Sequence, residues 1–178
     1  MSKPNGDTSG QKPVDFDHYF RSDLIALTRW LVFSGASPAE AQDAIQVAMM
    51  AAYTNWAVIE SPRAYVRTIA MRHFLNERAK VRRDHDAWRR SSQDLAVIDY
   101  DFDTEGRLVL AVLTGLPRAQ RHIMALTFDG YTPNEIAGIL AQPAATVRSN
   151  LRHARRALSR QFNPGYDKAA GREANDGP

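Results

Sequence analysis

Residues 132–160, TPNEIAGILAQPAATVRSNLRHARRALSR, constrain the fold more than any other stretch of the chain. Thr132 can cap a helix that begins with Pro133, whose missing N–H costs nothing in a first turn, and Glu135 can reach back to close a capping box. Ile136, Ala137, Ile139 and Leu140 give that helix an apolar face. Pro143 breaks the pattern, because it donates no backbone hydrogen bond and disfavours helix at Gln142. Beyond it Val147, Leu151, Ala154 and Leu158 recur at helical spacing as one buried stripe. Arg148, Arg152, Arg155, Arg156 and Arg160 lie off that stripe, and no acid falls between Pro143 and Gln161. The spacing predicts a helical hairpin with a wholly basic outer face, a shape suited to the major groove of DNA. A merely solvated helix also carries bases, but normally mixed with acids in i,i+4 pairs, and this one has no partner acids.

The remainder also reads as helix, with no convincing alternating strand. Phe16, Phe20, Leu24, Leu27 and Leu31 mark a helix over 16–33 that Gly35 ends. Ser37-Pro38-Ala39-Glu40 repeats the cap, proline and glutamate signature and opens a helix to about Trp56, with Ala41, Ala44, Ile45, Ala48, Met49 and Ala52 facing a core. Ser61-Pro62 opens a third helix to near Arg83. The pattern lapses over 84–106, and within it residues 91–106 hold Asp94, Asp99, Asp101, Asp103 and Glu105 without a base, so this stretch is expected to be a flexible linker. Helix resumes at Arg107–Leu113 and again after Leu116-Pro117, with Ile123, Leu126 and Phe128 as its apolar side. The expected architecture is all-α: small helical domains at 15–83 and 107–162, an acidic linker at 84–106, and disordered tails at 1–14 and 163–178.

Charge separates these parts further. Residues 36–60 hold Glu40, Asp43 and Glu60 and no base, whereas residues 61–90 hold nine bases against three acids. Tyr53, Trp56, Tyr65, Phe74 and Trp88 lie in or beside that basic stretch. Basic grooves with aromatic platforms hold single strands by neutralising phosphates and stacking bases, although any one of Trp56, Tyr65 and Phe74 could simply fill a small helical core.

Several function classes are disfavoured. The chain has no cysteine, so disulfides, thiolate zinc sites and thiol catalysis are excluded. His18, His73, His85, His122 and His153 show no metal-ligand spacing, and neither a P-loop nor a G-x-S-x-G turn is present. No catalytic residue, metal ligand or cofactor is therefore expected. There is no apolar run of about 18 residues and no secretory apolar region at the start, so membrane insertion is not expected and a cytoplasmic location is.

Two DNA-facing helical domains, a tether and an acidic helix form a known arrangement, and residues 16–162 resemble bacterial RNA polymerase sigma factors of the extracytoplasmic-function group. Leu116-Pro117, Gln120-Arg121, Gly130, Glu135-Ile136-Ala137, Leu140, Thr146-Val147, Ser149, Leu151 and Ala154-Arg155 look like the family's domain 4, a helix-turn-helix. Ala41-Gln42-Asp43-Ala44-Ile45-Gln46 is similar to its polymerase-docking helix, and Pro62 to Asn76 to the helix of domain 2 that meets the −10 element. The resemblance implies that Glu40, Asp43 and Gln46 bind core polymerase at the clamp helices of the largest subunit, with the flap of the second largest as a further contact. It implies that Trp56, Ser61, Arg63, Arg67, Arg72 and Asn76 meet the −10 element. It implies that Thr146, Arg148, Ser149, Arg152, Arg155 and Arg156 meet the −35 element. Promoter DNA and core polymerase are then the partners, and an anti-sigma factor is a further one the family allows. The chain departs from the pattern at Val47, at Met71-Arg72, and in domain 4 at Ala141, where a turn glycine is usual, Pro143, Ala145 and Asn150. The rival reading is a stand-alone helix-turn-helix regulator that binds an operator without polymerase.

Overall fold

The structure, a computed structural model, describes residues 15–86 and 102–162. The first unit consists of α1 (Phe16–Phe33), α2 (Pro38–Thr54), a 3-10 turn (Trp56–Val58) and α3 (Pro62–Asp86). The second consists of α4 (Thr104–Thr114), α5 (Arg118–Phe128), α6 (Pro133–Ile139) and α7 (Ala144–Phe162). No strand occurs among the described residues. The tails at 1–14 and 163–178, and most of the acidic linker, lie outside the described residues.

Local signals set the helix starts. Ser37 and Thr132 each complete a reciprocal capping box, with Glu40 and Glu135 respectively, and a proline follows each cap. Two acids of the expected linker belong to the start of α4. Asp103 accepts from the Gly106 backbone N–H at 2.9 Å and so starts α4 three residues earlier than the apolar pattern suggests, with Glu105 in its first turn.

The ends of α1, α5 and α6 share one device. Ala36 donates to Leu31, Tyr131 to Leu126 and Gln142 to Ala137, each closing a wide loop over the last turn. The residue before each donor is left-handed: Gly35 at φ 99°, Gly130 at φ 94° and Ala141 at φ 50°. The first two are glycines, which adopt that conformation freely. At Ala141 the Cβ costs about 1 kcal/mol, which the hairpin must offset elsewhere.

Within the first unit α2 lies along α3, and its Ala41, Ala44, Ile45, Ala48, Met49 and Ala52 are all buried. Val66, Ala70, Met71 and Phe74 meet them from α3. In the second unit Val147, Leu151 and Ala154 bury α7 against α5 and α6, with Leu158 half-buried. The two units are not held apart by the linker. α1 contacts α4 and α5, α3 contacts α6, and the apolar core runs continuously from one unit to the other. Phe33 of α1 stacks near Phe102 and edge-on to Phe128, at centroid distances of 5.5 and 5.7 Å.

Candidate nucleic-acid interface

Along α7 the apolar stripe fixes which face turns outward. With Val147, Leu151 and Ala154 buried, Thr146, Arg148, Arg152, Arg155 and Arg156 are exposed and Ser149 is half-buried. Arg148 is oriented by a 3.5 Å hydrogen bond to the Asn134 side chain on α6, which ties the two helices of the hairpin together at their outer edge. Arg148 and Arg152 stand one turn apart, close enough to reach one groove. Arg152→Ala should weaken promoter use by ~1–3 kcal/mol, the span of a bidentate base contact. Unchanged transcription from the same promoter would remove Arg152 from the reader.

On α2 the exposed side carries Gln42, Asp43, Gln46, Val47, Met50 and Tyr53. Next to it Phe16, Phe20, Ile45 and Met49 join Gln42, Gln46 and Tyr53 in walling an apolar groove of about 600 Å³. Asp43 is held from α3 by His73, Nε2 to Oδ2 at 2.5 Å, yet stays 60% exposed. Glu40 is placed differently from its two expected companions. It accepts from the Ser37 backbone at 2.7 Å and from Arg78 at 2.7 and 3.1 Å. Burial would raise its pKa, but Arg78 and the Ser37 N–H hold the carboxyl below the usual range. It anchors α2 to α3, whereas Asp43 and Gln46 stay exposed.

The six residues expected at the −10 element do not share one surface. Trp56 sits in an aromatic cluster, 5.3 Å from both Phe16 and Tyr19 by ring centroids, so most of its ring is committed to packing. Ser61 is exposed and lies in a second groove, of about 640 Å³, that Ala64, Tyr65 and Thr68 share with Glu135, Gly138 and Ile139 of α6. Arg72 and Asn76 are exposed, but at 100° per residue they lie roughly 140° and more around the helix from Arg63 and Arg67.

Arg67 departs furthest from expectation, because its side chain is fully buried. It donates to both Asp23 oxygens from its two terminal nitrogens, at 2.5 and 3.0 Å, and from Nε to Asp129 at 2.6 Å. Its guanidinium also lies 5.9 Å from the Trp30 ring and 5.7 Å from Tyr131. Burial by itself would lower its pKa, but the hydrogen bonds and charge of Asp23, with the charge of Asp129, raise it and keep it cationic. In this arrangement Arg67 is not available to DNA. Arg63, 46% exposed, makes longer contacts of 3.5 Å to the same two acids and lies 5.5 Å from Tyr131. Tyr131 is pushed up to about 12, by burial foremost, with Arg67 and Arg63 opposing.

Asp23 is a residue that the apolar pattern of α1 does not single out. It stands at helical spacing with buried Tyr19, Leu27 and Trp30, and Tyr19 donates to it at 2.8 Å. A lone acid on an apolar stripe signals a buried cationic partner, and that signal is present in the sequence. Among the described residues no group of acids and histidines could hold a metal ion, and no helix is long and apolar enough to cross a membrane.

Comparison with known proteins assigns the same two units. Residues 19–84 match sigma-70 region 2, and residues 106–158 match sigma-70, region 4. The chain is 30% identical over 149 residues to the RNA polymerase sigma-E factor of Streptomyces coelicolor, covering 79% of this chain and 82% of that one. It is 28% identical over 149 residues to the sigma-E factor of Streptomyces avermitilis, covering 79% and 81%. Its fold is similar to the sigma factor RpoE in complex with the anti-sigma factor NepR from Bartonella quintana, at TM-score 0.64, 21% identity, and coverage of 83% of this chain and 96% of that one. It is also similar to CnrH in complex with the cytosolic domain of CnrY, at TM-score 0.57, 21% identity, and coverage of 84% and 88%. Taken with a base-free α2, a basic α3 and an acid-free α7, these matches place the chain in the sigma-70 family of RNA polymerase sigma factors, as an extracytoplasmic-function member.

Proposed function

We propose that the chain binds core RNA polymerase through the exposed side of α2, with Asp43 and Gln46 against the clamp helices of the largest subunit, and brings α7 to the −35 element. The second unit would reach the flap of the second-largest subunit. Arg72 and Asn76 meet the −10 DNA from one side of α3, and Ser61 with the loop after Trp56 meets it from another. The function is that of a regulator acting in the cytoplasm, without chemistry of its own. An anti-sigma factor is a further partner, supported by the complexes in which the two similar folds were found.

The observation that carries this reading is the pairing of two exposed surfaces of opposite character on one chain. An acidic, alanine-rich α2 lies beside an apolar groove, and an acid-free α7 lies on the other unit. A stand-alone operator binder needs the second but not the first. Asp43→Arg should abolish binding to core polymerase while leaving the helical signal and melting temperature unchanged, since Asp43 is 60% exposed and its contact with α3 is a single one, to the half-buried His73. Co-purification of the folded variant with core at the wild-type level would sink the docking assignment.

A further inference from the structure

Arginines from two helices gather at a place that none of the contacts proposed above uses. Arg78 and Arg82 come from the second half of α3, and Arg118 and Arg121 from the start of α5. Glu40 is the acid that reaches them, and it is committed to Arg78 through both of its oxygens. Among the described residues no acid lies within ion-pair distance of Arg82, Arg118 or Arg121. Packing fixes two of the four in place. Arg78 lies 4.8 Å over the Phe74 ring. Arg121 donates from Nε and one terminal nitrogen to the carbonyls of Leu113, Thr114 and Leu116. Its other terminal nitrogen lies against Gly35, where an added Cβ would stand 3.0 Å away. The crowding shows in the charges: desolvation first, then Arg78 and Arg82, lowers the pKa of Arg118, and desolvation with Arg78 lowers that of Arg121.

Two further observations fall on the same spot. His122, one turn along α5 from Arg118, is 7% exposed, and its Nε2 has no hydrogen-bond partner among the described residues, while its ring is bonded to the Ser34 backbone. The N-terminal end of α5 begins at Pro117 with no side-chain cap and no acid in its first turn, so its partial positive charge adds to that of the arginines. We infer that this cluster is a binding site for a small anion with two or more linked phosphates, such as inorganic pyrophosphate or the phosphate chain of a nucleoside polyphosphate. Charge sets the class. With Arg78 paired to Glu40, Arg82, Arg118 and Arg121 remain to be neutralised, and a single phosphate group brings only about two negative charges. Guanidinium forks also match phosphate oxygens in pairs, as point charges do not. A nucleic-acid backbone presents its phosphates in a line, which suits the stripe along α7, whereas these arginines surround one helix end.

The test is calorimetric titration of the full chain with pyrophosphate and, separately, with ATP. Wild type should bind both. Arg82→Ala and Arg118→Ala, at exposed positions, should each weaken binding at least about tenfold, the loss of one charge-assisted contact, without lowering the melting temperature of the ligand-free chain. Arg21→Ala, on exposed α1, makes the same change of charge and should bind as wild type does. In NMR spectra at neutral pH, pyrophosphate should shift the ring resonances of buried His122 and leave those of exposed His153 on α7 in place. A DNA duplex should bind Arg118→Ala as well as it binds wild type. No binding of pyrophosphate by wild type would overturn the site, and so would equal weakening by Arg21→Ala, which would mean diffuse charge attraction. A shift at His153 without one at His122 would move the anion to α7. Binding of ATP alone would show that the nucleoside is read and not the phosphates. Loss of duplex binding in Arg118→Ala would make the cluster a nucleic-acid contact and overturn the small-anion reading.

Discussion

Asp23→Ala should lower unfolding stability by about 3–5 kcal/mol, the cost of leaving one member of a buried ion pair uncompensated. Asp23 accepts from Tyr19 and from both terminal nitrogens of Arg67, and its own side chain is 7% exposed. Without it the guanidinium keeps only Asp129, and Tyr19 loses its hydroxyl partner. A small domain has about 5–15 kcal/mol in all, so this one change consumes a large part of the reserve. The double variant Asp23→Leu with Arg67→Met should recover most of the loss, because a well-packed apolar pair replaces a buried ion pair at little cost. Urea midpoints of the single and double variants read both effects. A single-variant loss under about 1 kcal/mol would mean that Arg67 rehydrates freely.

The second large effect is a response to acid. His122 on α5 is buried against the edge of Phe74, 6.4 Å between centroids, with its ring bonded to the Ser34 backbone. Burial first, then the charges of Arg118, Arg121 and Arg78, push it down from 6.5 to about 4. Arg118 and Arg121 lie on its own helix, Arg78 comes from α3, and the acid nearest this group of arginines is Glu40 of α2. The unfolded chain takes up a proton near 6.5 and the folded chain not until about 4, so the neutral ring stabilises the fold fully above 6.5. That contribution falls away between the two values and amounts to ~3 kcal/mol. Since His122 joins the two units, acid should separate them before either unfolds. His122→Gln should flatten the stability curve between pH 6.5 and 4 by that amount. An unchanged slope would place the acid sensitivity in the carboxylates instead.

What the sequence displays and what it conceals divide along contact range. Both capping boxes, the alanine face of α2 and the stripe of α7 are legible because each depends on residues within one or two turns. The exposed face of α7 follows from its stripe, and so does most of the expected −35 set. The −10 set is less legible. Arg67 and Arg72 look alike in sequence, but Arg67 meets partners 44 and 62 residues away and Arg72 points elsewhere. Periodicity carries no term for that. Glu40 likewise reads as one of three docking acids and polar groups until Arg78, 38 residues on, is seen to hold it. The seating of one unit on the other depends on Phe33, Phe102 and Phe128, which individually read as helix-core residues. Ala141 marks a different limit: the left-handed turn is imposed by the hairpin although the residue there disfavours it.

Run-off transcription from total genomic DNA of the source organism tests the central claim most directly. Core polymerase alone, the chain alone, and the two together are compared, with Asp43→Arg and Arg152→Ala alongside. Discrete start sites sharing −10 and −35 elements should appear only when chain and core are combined, vanish with Asp43→Arg and weaken with Arg152→Ala. If core gains no start sites from the chain, and the free chain instead binds defined genomic sites tightly without core, the protein is a stand-alone regulator and the account is contradicted.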